Sequence, residues 1–139
     1  MLNIELVSWE KARNEAQRIR FAVFVEEQGV PAELEMDEND ADCVHGLAYI
    51  EGRAVGTGRL LPDGHIGRMA VLKEWRGHGA GKALLRALIE AARRRGDRQV
   101  MLSAQTHALG FYRAEGFEPE GGEYEEAGIA HQAMRRKLG

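Results

Sequence analysis

Between Leu84 and Ala92 apolar residues recur at helical spacing: Leu84, Leu85, Leu88, Ile89 and Ala92, with Arg86, Glu90 and Arg94 lying opposite. The pattern predicts an amphipathic helix that runs to about Arg95 and is closed by Gly96. Ala12, Ala16, Ile19 and Val23 repeat that periodicity nearer the N-terminus. They define one face of a helix capped by Ser8 and running to about Phe24, stopped by Gly29 and Pro31. Elsewhere the apolar runs are short and bounded by turn residues, as strands are. Asn3 to Val7 is one such run. Val44 to Ile50 and Arg53 to Leu61 form a hairpin about Glu51-Gly52, and Pro62-Asp63-Gly64 turns the chain into a third strand, His65 to Leu72. Gln99 to Ala104 reads as a strand and Thr106 to Ala114 as a short helix. The tail returns as strands near Phe117 and over Ile129 to Arg136. Helices and strands interleave without repeat or linker, which predicts a single α/β (α+β) domain.

Composition narrows this picture without naming a function. A chain of 139 residues is long enough for one domain with a real core, and 44% hydrophobic with 29% charged residues is ordinary for a globular protein. A net charge of −3 carries no footprint of nucleic acid or membrane partners. Cys43 is the sole cysteine, so no intrachain disulfide can form, and a reducing cytoplasm is the expected compartment. The first residues include Glu5 and Glu10 and no long apolar run, so neither a signal peptide nor a membrane span is expected.

The candidate chemistry begins at Arg76-Gly77-His78-Gly79-Ala80-Gly81-Lys82, between the third strand and the long helix. Alternate glycines expose main-chain N–H groups at a helix start, where free donors and the helix dipole favour a phosphate or pyrophosphate. The spacing is not that of a Walker loop, because Arg76 and Ala83 stand where Gly and Ser or Thr are needed. Nor is it a dinucleotide fingerprint, since Lys82 falls on the third glycine position. R-x-x-G-x-G fits, with Arg76, Gly79 and Gly81. The plainer alternative is a turn that merely joins strand to helix.

Downstream, Gln105-Thr106-His107-Ala108-Leu109-Gly110-Phe111-Tyr112-Arg113-Ala114-Glu115-Gly116-Phe117 adds a second cluster. With the Arg76 loop, the stretch from Val55 to Phe117 resembles the GNAT superfamily of acyl-CoA-dependent N-acetyltransferases. The resemblance implies a central mixed, mostly antiparallel sheet flanked by helices, with a splayed strand pair holding the acyl-CoA. It implies a cradle for the coenzyme A pyrophosphate at Arg76, Gly77, His78, Gly79, Ala80, Gly81 and Lys82. The strand residues Met69, Ala70 and Val71 would pair with the pantetheine arm. Tyr112, in A-x-x-x-Y from Ala108, would face the thioester sulfur as proton donor. Gln105 stands where the family often has Asn, which leaves its contact with the cofactor open. The co-substrate implied is acetyl-CoA, with no metal, and the acceptor a small-molecule primary amine. A coenzyme A-binding sensor without turnover and a protein amine acetyltransferase are the alternatives; a homodimer is a common outcome for such soluble proteins.

A thiol titrates near 8.5 and a phenol near 10, so a neutral Tyr112 can donate to a departing thiolate at pH 7. The alternative is that Tyr112 only packs beside Phe111. Neutralising an amine of pKa about 10.4 at pH 7 costs about 4.6 kcal/mol, against about 1.4 kcal/mol for an α-amine. A weakly basic acceptor therefore needs no base beyond a water chain. Base candidates lie between Glu26 and Asp42, a segment with eight carboxylates. Its Glu27-Gln28-Gly29-Val30-Pro31 and Glu35-x-Asp37-x-x-Asp40 resemble a small bacterial subgroup of the superfamily, in which this region borders the acceptor pocket. Glu35 is the base candidate, and Glu27, Asp40, Arg59, Arg68 and His131 are candidates for the acceptor site. A solvated acidic loop is the plainer reading of the segment, and internal ion pairs with it the favoured reading of Arg59 and Arg68. The spacing argues against a calcium loop, since in a loop starting at Asp37 position five is Ala41 and Asp42 stands where Gly is required. His45, His65, His78, His107 and His131 show no zinc spacing.

Overall fold

The computed structural model describes residues 1–35 and 37–139. Strand β1 (Leu2–Val7) leads into helix α1 (Trp9–Arg20), which continues as a π-helical segment over Phe21–Glu27. A short helix α2 (Ala32–Glu35) and a 3₁₀ turn (Glu38–Asp42) precede β2 (Val44–Ile50), β3 (Arg53–Leu60) and β4 (Ile66–Val71). Helix α3 (Ala80–Arg94), β5 (Gln99–Gln105), α4 (Leu109–Ala114), β6 (Glu118–Glu126) and β7 (Ile129–Lys137) complete the chain.

Two antiparallel sheets result, ordered β1-β2-β3-β4 and β5-β7-β6. They meet where His65 bridges Met101 in parallel and the Met101 N–H donates to the Gly64 carbonyl at 3.1 Å. Beyond that bridge no ladder joins β4 to β5 among the described residues. The splayed pair is therefore present, and it leaves one edge of β4 open.

Period-2 alternation decides which helix covers which face of the first sheet. Leu47, Ala54 and Ala70 pack against Ala12, Ala16, Ile19 and Val23. Their neighbours Ala48 and Val55 face the other way, towards Leu84 and Ala80 of α3. The inner face of α3 then joins both sheets, because Leu85, Leu88, Ile89 and Ala92 share one core with Leu60 and Ile66 on one side and Val100, Leu102 and Met134 on the other. All five apolar positions that predict this helix are buried.

Two expectations change. Ser8 does precede α1, but its side chain caps nothing; only its carbonyl serves, accepting from Ala12 N–H at 3.0 Å. The helix does not stop at Phe24 but widens into the π-helical segment. Gly29 ends it in a left-handed conformation, φ +75°, with Val30 N–H donating back to the Phe24 carbonyl at 2.8 Å.

Candidate functional site

The loop after β4 is built to expose its main chain. Gly77 and Gly79 have φ of +85° and +84°, and a Cβ at either would meet nothing within 4 Å. Space and left-handed backbone thus coincide, which glycine alone adopts at little cost. The first main-chain hydrogen bond into α3 runs from Ala83 N–H to the Gly79 carbonyl at 3.0 Å. The helix itself leaves the N–H groups of Ala80, Gly81 and Lys82 without partners, at its positive end. The His78 ring turns back onto its own loop, with Nδ1 3.1 Å from the Trp75 carbonyl. These features fit a pyrophosphate.

Beside the cradle runs the open edge of β4. A bulge interrupts its pairing with β3: Thr57 faces Ala70 and Arg59 faces Gly67, so Arg68 and Met69 together oppose Gly58. Arg68 takes the strained conformation there, φ +50°, which re-aims its side chain. Tyr112, in α4, packs edge-on against Phe111 and Phe117, with ring centroids 5.0 and 6.0 Å away. Burial pushes its phenol up to about 12. It stays protonated across the whole physiological range.

The end of the π-helical segment touches both lips of the splay. Glu27 accepts two 2.6 Å hydrogen bonds from Arg76, whose Nε also donates to the Val71 carbonyl at 3.0 Å. The Arg76 guanidinium holds the Glu27 carboxyl below its usual range. The next residue, Gln28, exchanges side-chain hydrogen bonds with Gln105 at the end of β5, at 2.9 and 3.3 Å. Glu27, expected in the acceptor site, therefore lies against the cradle, and Gln105 is tied to Gln28 and to His107. The composition of the π-helical segment gave no signal of this strap.

The acidic segment is only in part a solvated stretch. Glu35 and Asp40 are buried, while Glu33, Glu38 and Asp42 remain exposed. Arg20, 1% exposed, donates through Nε to Glu35 and through both terminal nitrogens to Asp40 at 2.9 and 3.0 Å. Arg59 donates to Asp40 at 2.8 Å and to Asp37 at 2.6 Å. Arg20, which no sequence motif marks, joins Glu35 and Asp40 in this network. The internal pairing favoured for Arg59 is present; Arg68 reaches Asp37 only at 3.6 Å. His45 joins by placing Nε2 2.8 Å from the Asp40 carbonyl, and burial lowers its pKa, so it is a neutral donor. His131 sits elsewhere, opposite Gln105 in the second sheet, with Nδ1 2.7 Å from the Ile129 carbonyl. Among the described residues no group of side chains is arranged to hold a metal, and no helix is long and apolar enough to cross a membrane.

Known proteins share this fold. Residues 10–138 match the model of the acetyltransferase (GNAT) domain. The uncharacterized N-acetyltransferase YjcF of Bacillus subtilis is 37% identical over 131 residues, covering 91% of this chain and 94% of that protein. An acyl-CoA N-acyltransferase from Pseudomonas aeruginosa superposes with a TM-score of 0.86 at 32% identity, over 98% of this chain and 99% of that one. ElaA of Escherichia coli does so at 0.87 and 29%, over 99% and 100%. With a family match from residue 10 to 138 and relatives above 30% identity spanning nearly its whole length, the chain belongs to the GNAT acetyltransferase family.

Proposed function

We propose that the protein transfers an acetyl group from acetyl-CoA to the primary amine of a small molecule. The observation that carries this reading is the open main-chain cradle of Gly77–Lys82, set directly against the unpaired edge of β4. Acetyl-CoA would supply an activated thioester. The N–H groups of Ala80, Gly81 and Lys82 would hold its pyrophosphate, and the edge of Met69, Ala70 and Val71 its pantetheine arm. Tyr112 would protonate the departing sulfur as the amine nitrogen bonds the acetyl carbon and the carbon–sulfur bond breaks. A positioned acid of this kind contributes about 10²–10⁴ in rate.

The base role is assigned to water. Glu35, expected as the base, is 8% exposed and spends its carboxylate on Arg20. A base must reach the proton it removes, and an α-amine needs only about 1.4 kcal/mol of neutralisation at pH 7. Calorimetric titration with acetyl-CoA, then thiol release over a panel of amines, tests the proposal. Saturable binding with amine-dependent release is expected. Binding without release on any amine would favour a sensor, and no binding would remove the reading altogether.

A further inference from the structure

We propose that the acceptor amine carries a compact oxyanion, a carboxylate or a phosphate, and that Arg68 binds it. The inference rests on the acetyltransferase reading and names the substrate class of that site.

Three arginines and three carboxylates meet behind β4, but the hydrogen bonds are shared unevenly. Arg20 spends its Nε and both terminal nitrogens on Glu35 and Asp40. Arg59 places both terminal nitrogens on carboxylates. Arg68 makes one long hydrogen bond, from Nη2 to the Leu34 carbonyl at 3.4 Å. Its only carboxylate contact among the described residues is Asp37 at 3.6 Å, an oxygen that Arg59 already holds at 2.6 Å. The Arg68 Nε is buried without a hydrogen-bond partner. Arg59 shares that orphaned Nε, but it holds two carboxylates closely, whereas Arg68 has only a longer contact to an oxygen that Arg59 already binds.

A guanidinium has five donors and cannot shed its proton. The Arg68 Nε–H is held out of water without an acceptor, which is costly, and an arriving anion removes that cost. The side chain is 30% exposed, so a ligand can reach it. Its planar fork matches carboxylate and phosphate equally well.

Position supplies the rest. Arg68 stands on the β4 bulge, immediately before Met69 and at the end of the open edge remote from the glycine cradle. An arm anchored at Gly79 and laid along Val71 to Met69 brings its far end to this bulge. The rise of a strand puts Arg68 about 7 Å from Ala70, the span of a small molecule with an amine at one end and an anion at the other.

The test uses the wild-type protein and a panel of primary amines, each presented as carboxylate, as phosphate and as neutral carboxamide. In at least one series the carboxylate or phosphate form is expected to exceed the carboxamide tenfold or more in kcat/KM, and which of the two does so identifies the source. In Arg68→Gln that ratio should fall to about one whatever the absolute rates, through KM, while acetyl-CoA affinity stays within threefold. Arg68→Lys, which keeps the charge and loses the fork, should recover part of the ratio. Equal rates for all three forms, a ratio that survives Arg68→Gln, or acetyl-CoA binding with no turnover on any anionic amine would each overturn the proposal. The wild-type comparison decides even if Arg68→Gln does not fold. Failure to bind acetyl-CoA would instead strike the acetyltransferase reading, and this inference with it.

Discussion

Arg76 pairs with the carboxylate of Glu27, and in the proposed function its loop also receives the phosphates of coenzyme A. The pair is more than a third exposed on both sides, so it contributes no more than about 1 kcal/mol. Removing the carboxylate leaves one more positive charge beside the cradle. Glu27→Gln is therefore expected to raise acetyl-CoA affinity by about two- to fivefold and to steepen its salt dependence, as calorimetry at two ionic strengths would read. A fall in affinity would mean that Glu27 positions Arg76 for the ligand instead of competing for it. Tyr112 carries the other residue-scale expectation. Tyr112→Phe deletes a hydroxyl and keeps the edge-on packing with Phe111 and Phe117, so acetyl-CoA binding should persist while turnover drops by about 10²–10⁴. Burial raises the phenol to about 12. The wild-type rate should therefore climb as the amine loses its proton and show no fall below about pH 11. A rate that declines from pH 9, or a Phe variant with near-normal turnover, would remove Tyr112 as the proton donor.

At the scale of elements, the stretch from α2 through the 3₁₀ turn is short and polar, and its attachment is ionic. Asp40 is the hub, accepting from Arg20 on α1 and Arg59 on β3. Burial alone would raise its pKa, but the two guanidiniums outweigh that and hold it below the usual carboxylate range. Its contribution is thus fully present above the unfolded value of about 3.9 and is lost as pH falls through the folded one. Asp40→Asn should cost up to about 3–5 kcal/mol at pH 7, because it removes the carboxylate that two buried guanidiniums share and leaves each with a single carboxylate partner. Its deficit in Tm against wild type should shrink below about pH 4; a deficit independent of pH would point to packing instead of charge. This network also marks where the sequence stops being legible. The apolar periods of α1 and α3 and the β2–β3 hairpin could be seen because each is a local repeat. The strand–glycine–helix order of the cradle is local too. Arg20, Arg59 and the carboxylates of 35–40 lie on separate elements, and only the tertiary arrangement brings them together. A row of acidic residues then looks like a solvated loop. The π-helical extension past Phe24 was hidden for the same reason, since what holds its end are Arg76 and Gln105, far along the chain.

Among the described residues one β-bridge joins the two sheets, and α3 packs on both. It lies close because the floor beneath it is glycine. Gly46 and Gly58 are partners across β2 and β3, and a Cβ on Gly46 would stand 3.0 Å from Leu84, while one on Gly58 would collide with the Met69 sulfur and come within 3.1 Å of Leu88. Leu88 is fully buried in the core that also holds Leu60 of the first sheet and Val100 of the second. Leu88→Ala should cost about 2–5 kcal/mol, since neither sheet can collapse onto the space without losing the other. Both tryptophans, Trp9 and Trp75, pack on the first sheet, whereas far-ultraviolet circular dichroism reports both. If α3 couples the halves, fluorescence and circular dichroism should melt together in the variant as in the wild type. The glycine cradle lies two turns away on the same helix and keeps its geometry. Acetyl-CoA at a hundred times its Kd should therefore add about 2.7 kcal/mol to either protein. Separate transitions from the two probes would show that the sheets fold independently and that α3 bridges them only in the native state.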